Sequence, residues 1–283
     1  MVAVKFWKMH GLGNDYVVID NRSKLINSAE AAGLARKLCA RRFSVGADGL
    51  LLVDNSVVAD VKMRIFNLDG SEAEMCGNGI RCFAKYCYEN NIVRKKEVAV
   101  ETLAGIKKTW LTVETSVVIF VKVDMGAPTL ERSKIPMVGA GKCVNQDLQV
   151  NGEQYKATCL SVGNPHCVIF VDRLNDFPVQ TLGPKIENYS LFPKRTNVEF
   201  AQVLNKNEVK VRVWERGCGE TLACGTGACA TVVAGNMGGK TGNKVRVHLL
   251  GGDLEVEYAE RLFLSGPAEK VYAGKLFDDV KSV

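Results

Sequence analysis

One stretch of this sequence occurs twice, and no other feature constrains the fold as strongly. Arg64–Gly79 reads RIFNLDGSEAEMCGNG and Arg212–Gly227 reads RVWERGCGETLACGTG, an offset of 148 between Cys76 and Cys224. On that alignment Arg64 meets Arg212, Phe66 meets Trp214, Asn67 meets Glu215 and Glu72 meets Glu220. Each copy runs from a strand-like segment through a loop to a cysteine, then to Gly-x-Gly and a stretch suited to a helix. A repeat with two copies covering most of the chain marks a duplication, not a solenoid. Two related halves are expected, each presenting one cysteine at one helix start.

The position of those cysteines carries chemistry. The first N–H groups of a helix have no intrahelical partner and lie at the positive end of its dipole. They favour an anion, whether a carboxylate or the thiolate itself. A free thiol titrates near pH ~8.5, and a helix N-terminus lowers that value. A lone cysteine among glycines reads best as a small packing residue. Two at matching positions place two thiols across a pseudo-twofold axis, an arrangement that can take a proton from one face of a carbon and return one to the other.

A second correspondence runs beside the first. HGLGNDYVVID breaks at Gly11-Leu12-Gly13-Asn14 and resumes as the strand Tyr16–Ile19; VGNPHCVIFVD (Val162–Asp172) repeats it, with Asn164 offset by 150 from Asn14. A turn asparagine needs no ligand, but its recurrence with the flanking strand points to binding. VGADGLLLV (Val45–Val53) similarly matches RTNVEFAQV (Arg195–Val203), so that Gly49 meets Asn197.

Between these motifs, Ser28–Phe43 has amphipathic spacing, with Ala31, Leu34 and Leu38 on one face and Ser28 as the expected N-cap. Asn67–Met75 reads as the loop that delivers Cys76. Ile80, Phe83, Ala84 and Cys87 then mark a helix ending at Asn90-Asn91, in which Cys82 and Cys87 pack. Strands are expected at Glu97–Thr102, Lys107–Glu114 and Val117–Val123, and a hairpin around Asn151-Gly152. A short helix is expected near Leu182–Tyr189. The helix after Cys224 is apolar on every side over Ala228–Ala234, hence buried, and stops at Gly238-Gly239. Lys244–Leu249, Asp253–Tyr258 and Leu262–Ser265 close the second half as strands.

Composition removes several classes. The 283 residues suffice for two cores. The net charge of +6 is dispersed, and its longest basic run, Arg94-Lys95-Lys96, is too short for a nucleic-acid arm. No apolar run is long enough to span a bilayer, and the N-terminal residues MVAVKFWKMHGLG lack a signal-peptide core. Ten cysteines without a C-x-x-C pair, and three scattered histidines (10, 166, 248), speak against zinc and for free thiols in a reducing cytoplasm.

The segments HGLGNDYVVID, NLDGSEAEMCGNGIRC, GNPHCV and ERGCGETLACGTGA resemble the diaminopimelate epimerase family, a resemblance that runs from Lys8 to about Leu276. It implies a mixed α/β fold of two pseudo-symmetric domains, each a curved mixed sheet around a central helix, with the active site in the cleft between them. The family's last strand crosses back, so residues 1–124 with 270–283 would form one half and 125–269 the other. By position, Cys76 and Cys224 become the acid and base. Asn14, Asn67, Asn164, Asn197, Glu215 and Arg216 resemble the ligands of the distal amino-acid end. Gly77-Asn78 and Gly225-Thr226 resemble the amides holding the reacting α-carboxylate, and His166 with Glu215 would orient the amino group. The resemblance further implies a cofactor-independent, PLP-free epimerisation of LL-diaminopimelate to the meso form by a homodimer, with no metal, nucleic-acid or membrane partner.

Two positions depart from the pattern. Gly49 stands where some relatives carry a substrate-binding glutamine, and Cys218 replaces a small loop residue. A proline-racemase-like enzyme shares the two-thiol design but does not need the polar distal set. A binding protein with two structural cysteines would hold ligand without turnover.

Overall fold

Left-handed backbone at two-residue turns decides where the strands reverse. The computed structural model describes residues 4–277. Leu12 (φ 57°) and Gly13 (φ 89°) join β1 (Val4–Gly11) to β2 (Asn14–Asp20), the primed-turn geometry whose twist suits a tight hairpin. The chain continues through α1 (Ser28–Cys39), β3 (Gly49–Asp54), β4 (Val61–Asn67), β5 (Glu72–Ala73), α2 (Gly77–Glu89), β6 (Glu97–Thr102), β7 (Gly105–Glu114) and β8 (Val117–Gly126). Then follow β9 (Cys143–Val150), β10 (Glu153–Ser161), β11 (Pro165–Phe170), α3 (Val179–Glu187), β12 (Asn197–Asn205), β13 (Glu208–Glu215) and β14 (Gly219–Thr221). The chain closes with α4 (Gly225–Met237), β15 (Lys244–Leu249), β16 (Gly252–Tyr258), β17 (Leu262–Gly266) and β18 (Glu269–Leu276). Asn151 (φ 57°) and Gly152 (φ 81°) make the expected β9–β10 turn.

Two compact units result. The first takes the described residues up to Val123 and those from Gly266 onward; the second is Asp124–Ser265. In the first, the strand order is β18-β1-β2-β3-β4-β6-β7-β8, with β2–β3 and β4–β6 parallel and the other neighbours antiparallel. In the second it is β9-β10-β11-β12-β13-β15-β16-β17, with β11–β12 and β13–β15 parallel. Order and sense agree strand for strand, and β18 stands in the first unit where β9 stands in the second.

Each sheet packs on one helix. α2 lies against β1, β2, β3, β4 and β7, and α4 against β10, β11, β12, β13 and β16. α4 is buried around its circumference over Ala228–Ala234, which explains its lack of a polar face. In the first unit, α1 seals a core of Val17, Ile19, Leu34, Leu38, Leu50 and Leu52; burying each such side chain contributes about 1.5–3 kcal/mol. In the second unit α3 does the same, with Val179, Leu182 and Ile186 packed among Leu148, Val198 and Phe200.

Several expected boundaries shift. α1 is capped by Asn27, not Ser28: the Asn27 side-chain Oδ1 accepts from the Ala29 and Glu30 amides, and the Glu30 carboxylate accepts from the Asn27 N–H in return. The helix ends at Cys39, leaving Phe43 exposed beyond it. The loop before Cys76 contains the short strand β5, pinned to β4, and β14 pairs with β13 in the same way. α3 begins at Val179, three residues ahead of the expected start, directly behind Pro178.

Candidate functional site

The repeated arginine and glutamate positions turn out to be a structural clamp. Arg64 Nε and Nη2 grip the Glu72 carboxylate at 2.7 and 3.0 Å, and Arg212 grips Glu220 at 2.7 and 3.1 Å. Each bidentate pair ties β4 or β13 to the loop that carries a cysteine to its helix. Arg212 also donates to the carbonyls of Leu174, Asn175 and Phe177.

In the first unit Cys76 is the N-cap of α2, and its sulfur accepts from the Gly79 amide at 3.5 Å. Asn14, at the start of β2, is clamped from behind: its Nδ2 donates to Asp48 Oδ2 at 2.8 Å, while Arg41 holds Asp48 and Asp15. The Asn14 carbonyl oxygen therefore faces the helix start, where it accepts from Asn78 Nδ2 at 3.3 Å and lies 3.7 Å from the Cys76 sulfur. Gly77 and Asn78 are buried in the first turn of α2. Asn67 is exposed at the end of β4, with its side-chain amide donating to Ser71 Oγ at 3.0 Å. Gly49 pairs with both Tyr16 and Asn67. A Cβ there would lie 2.8 Å from the Phe66 carbonyl oxygen, so this backbone excludes a side chain.

In the second unit Cys224 caps α4 and accepts from the Gly227 amide at 3.4 Å, with Thr226 Oγ1 also 3.4 Å from its sulfur. Asn164 Nδ2 donates to Thr226 Oγ1 at 3.2 Å, and Asn164 Oδ1 lies 2.9 Å from His166 Nε2. The other ring nitrogen of His166 meets Glu199 Oε1 at 2.7 Å, with both side chains fully buried. Asn197 is buried at the start of β12, donates to the Pro165 carbonyl and accepts the Arg216 backbone N–H at 2.9 Å. The Arg216 guanidinium donates to the Lys194 carbonyl at 3.1 Å. Glu215 accepts from Thr221 Oγ1 at 2.5 Å.

Burial dominates the electrostatics of this second cluster. It pushes the Cys224 thiol well above its ordinary value, and the Glu215 and Glu199 carboxylates push the same way. Burial likewise raises the Glu215 carboxyl, against the pull of Thr221 and Cys224. Cys82, further along α2, is pushed up to about 12 by burial, as suits a packing residue. All ten cysteines are free thiols. Among the described residues no three His, Cys, Asp or Glu side chains gather closely enough to hold a metal ion, and no helix is long and apolar enough to cross a membrane.

Each unit thus gathers a helix-capping cysteine, its Gly-x-Gly amides and a strand-start asparagine. Tyr16, Asp48 and Glu199 were not among the expected site residues. The offset of 150 that pairs Asn14 with Asn164 also pairs Tyr16 with His166, and both occupy the same register position, opposite Gly49 and Asn197. Glu199 was visible as the single carboxylate in the apolar run NVEFA.

The fold is shared with proteins of distant sequence. A phenazine biosynthesis protein of Bacillus anthracis superposes with a TM-score of 0.69 at 17% identity, covering 98% of this chain and 100% of that one. A hydroxyproline epimerase of Agrobacterium vitis gives 0.70 at 12% identity, over 97% and 92%. The α/β architecture is therefore one that this chain shares with both of these proteins. The diaminopimelate epimerase sequence model matches residues 6–131 and 158–271. A diaminopimelate epimerase of Moorella thermoacetica is 54% identical over 273 residues, 95% of this chain and 98% of that protein. This chain belongs to the diaminopimelate epimerase family, a family of isomerases.

Proposed function

We propose that this chain interconverts LL-2,6-diaminopimelate and meso-diaminopimelate, supplying precursors of lysine and peptidoglycan in the cytoplasm. The observation that carries the reading is the duplicated cap: Cys76 on α2 and Cys224 on α4, each a free thiol at a helix start within a family of diaminopimelate epimerases. The two units serve as the two epimerase halves of a homodimer subunit.

An amino-acid α-hydrogen is a weak acid, and its removal places charge on the α-carboxylate. Gly77-Asn78 and Gly225-Thr226, with the amides of two helix starts, stabilise that charge with donors already in place. One thiolate takes the proton while the opposite thiol delivers another, so neither PLP nor a metal is required. Buried and flanked by Glu215 and Glu199, Cys224 suits the thiol partner in the resting enzyme. His166 and Glu215 orient the reacting amino group. Asn14, Asn67, Asn164, Asn197, Glu215 and Arg216 bind the distal amino acid, with Arg216 on its carboxylate. A coupled assay with LL-diaminopimelate tests the reading. Turnover is expected, lost in both Cys76→Ala and Cys224→Ala with the fold retained by circular dichroism. An inactive wild-type chain, or wild-type turnover in either variant, would overturn it.

A further inference from the structure

Tyr16 is buried in the strand that follows the Asn14 turn, and two glycines make room for its ring. A Cβ on Gly79 would lie 3.4 Å from the tyrosine Cζ, and one on Gly49 would lie 3.3 Å from its Cε1. In that slot the hydroxyl reaches the first turn of α2, 2.9 Å from the Cys76 sulfur and 2.5 Å from Asn14 Oδ1. The Asn14 amide cannot turn to present its nitrogen instead, because Asp48 accepts from that nitrogen at 2.8 Å. Tyr16 therefore sits between two atoms that both accept hydrogen bonds, and it has a single proton to give.

From this we propose that Tyr16 is a positioning residue for Cys76, whose hydroxyl turns its proton between Asn14 and the sulfur as Cys76 gains and loses its own. When Cys76 carries its proton, the S–H donates to the tyrosine oxygen and the phenol donates to Asn14. When Cys76 has lost it, the phenol proton turns to the sulfur and joins the Gly79 amide in holding the anion. No bond to carbon forms or breaks; one hydroxyl rotates. Burial keeps the phenol protonated, since it raises Tyr16 well above its ordinary value, with the neighbouring Cys76 acting in the same direction. The other titratable groups around the pair are Asp48 ahead of β3 and Cys82 on α2, with Arg81 and Lys85 acting on Cys82. The second unit lacks this device: His166 holds the equivalent register position, but its nitrogens go to Asn164 and Glu199. The duplication has thus diverged in how its two thiols are supported.

The proposal rests on the reading of Cys76 as a proton-transfer thiol, and two readouts on Tyr16→Phe, which keeps the ring, separate it from that reading. In the first, full-length protein is pulsed with iodoacetamide at neutral pH and each cysteine is quantified by peptide mass spectrometry. Alkylation of Cys76 should slow by about tenfold or more, the scale of a hydrogen bond to a charged group, while the exposed Cys218 reacts at an unchanged rate. In the second, kcat for diaminopimelate should fall by about tenfold or more with KM held within about twofold, because support is lost for the reacting sulfur and not for substrate binding. Unchanged or faster alkylation of Cys76 overturns the proposal, as does an effect confined to KM. A wild-type chain inactive on diaminopimelate would remove the functional reading, and the alkylation readout alone would then decide the role of Tyr16.

Discussion

At the scale of single residues, the two capping cysteines share a backbone position and differ in surroundings. Cys76 is partly exposed and touches Tyr16, whereas Cys224 is 5% exposed and has Glu199 and Glu215 nearby. Because burial raises the Cys224 value, the thiol form persists at neutral pH and the thiolate fraction grows only as pH rises. In ligand-free protein, iodoacetamide should label Cys224 at least about tenfold more slowly than Cys218 near neutral pH, and the Cys224 rate should climb through the alkaline range. Equal labelling at neutral pH would contradict the burial account. Arg216 belongs to the same scale. If its guanidinium grips the distal carboxylate in two parallel bonds, Arg216→Lys should lower kcat/KM by about tenfold or more, since an ammonium cannot reproduce the fork. Unaltered steady-state kinetics would place Arg216 outside the site.

At the scale of elements, α1 shows how a boundary is decided. Asn27 and Ser28 are both good N-caps, and reading the chain favours the one nearer the apolar periodicity. The capping box decides for Asn27, because Glu30 lies three residues after it and closes the reciprocal bond. Asn27→Ala should cost about 1 kcal/mol in urea unfolding, and Ser28→Ala, whose hydroxyl accepts from Arg64, distinctly less. The reverse ranking would restore Ser28 as the cap. β5 and β14 leave no mark in the sequence for a different reason: two and three residues are too few to show a period of two. The Arg64–Glu72 and Arg212–Glu220 clamps hold each loop against its strand beside these pairings, an arrangement visible only once the strands are paired. The longer strands were legible because glycine and asparagine turns delimit them, as at Leu12-Gly13 and Asn151-Gly152.

At the scale of the whole molecule, the duplication was legible because both copies keep the same residue types at the same spacing. The topology shows where they fall: eight strands in one order and one set of senses bring a clamp, a turn asparagine and a helix-capping cysteine to matching places in each unit. What the repeat concealed is its own divergence. Tyr16 and Glu199 are polar groups inside apolar strands, and such runs read as core until a partner appears. That divergence leaves untouched what the proposed reaction demands, that two thiols act on opposite faces of a single carbon. The most direct test follows hydrogen isotopes from LL-diaminopimelate in D2O at low conversion. A thiol holds a single proton, so the product should carry deuterium at the reacting α-carbon while unreacted substrate keeps its original hydrogen. Mass spectrometry of both isomers reads the result. Substantial deuterium in recovered substrate, or the original hydrogen returned to product, would mean one base serving both faces, and would contradict the paired-thiol account even if both cysteines were essential.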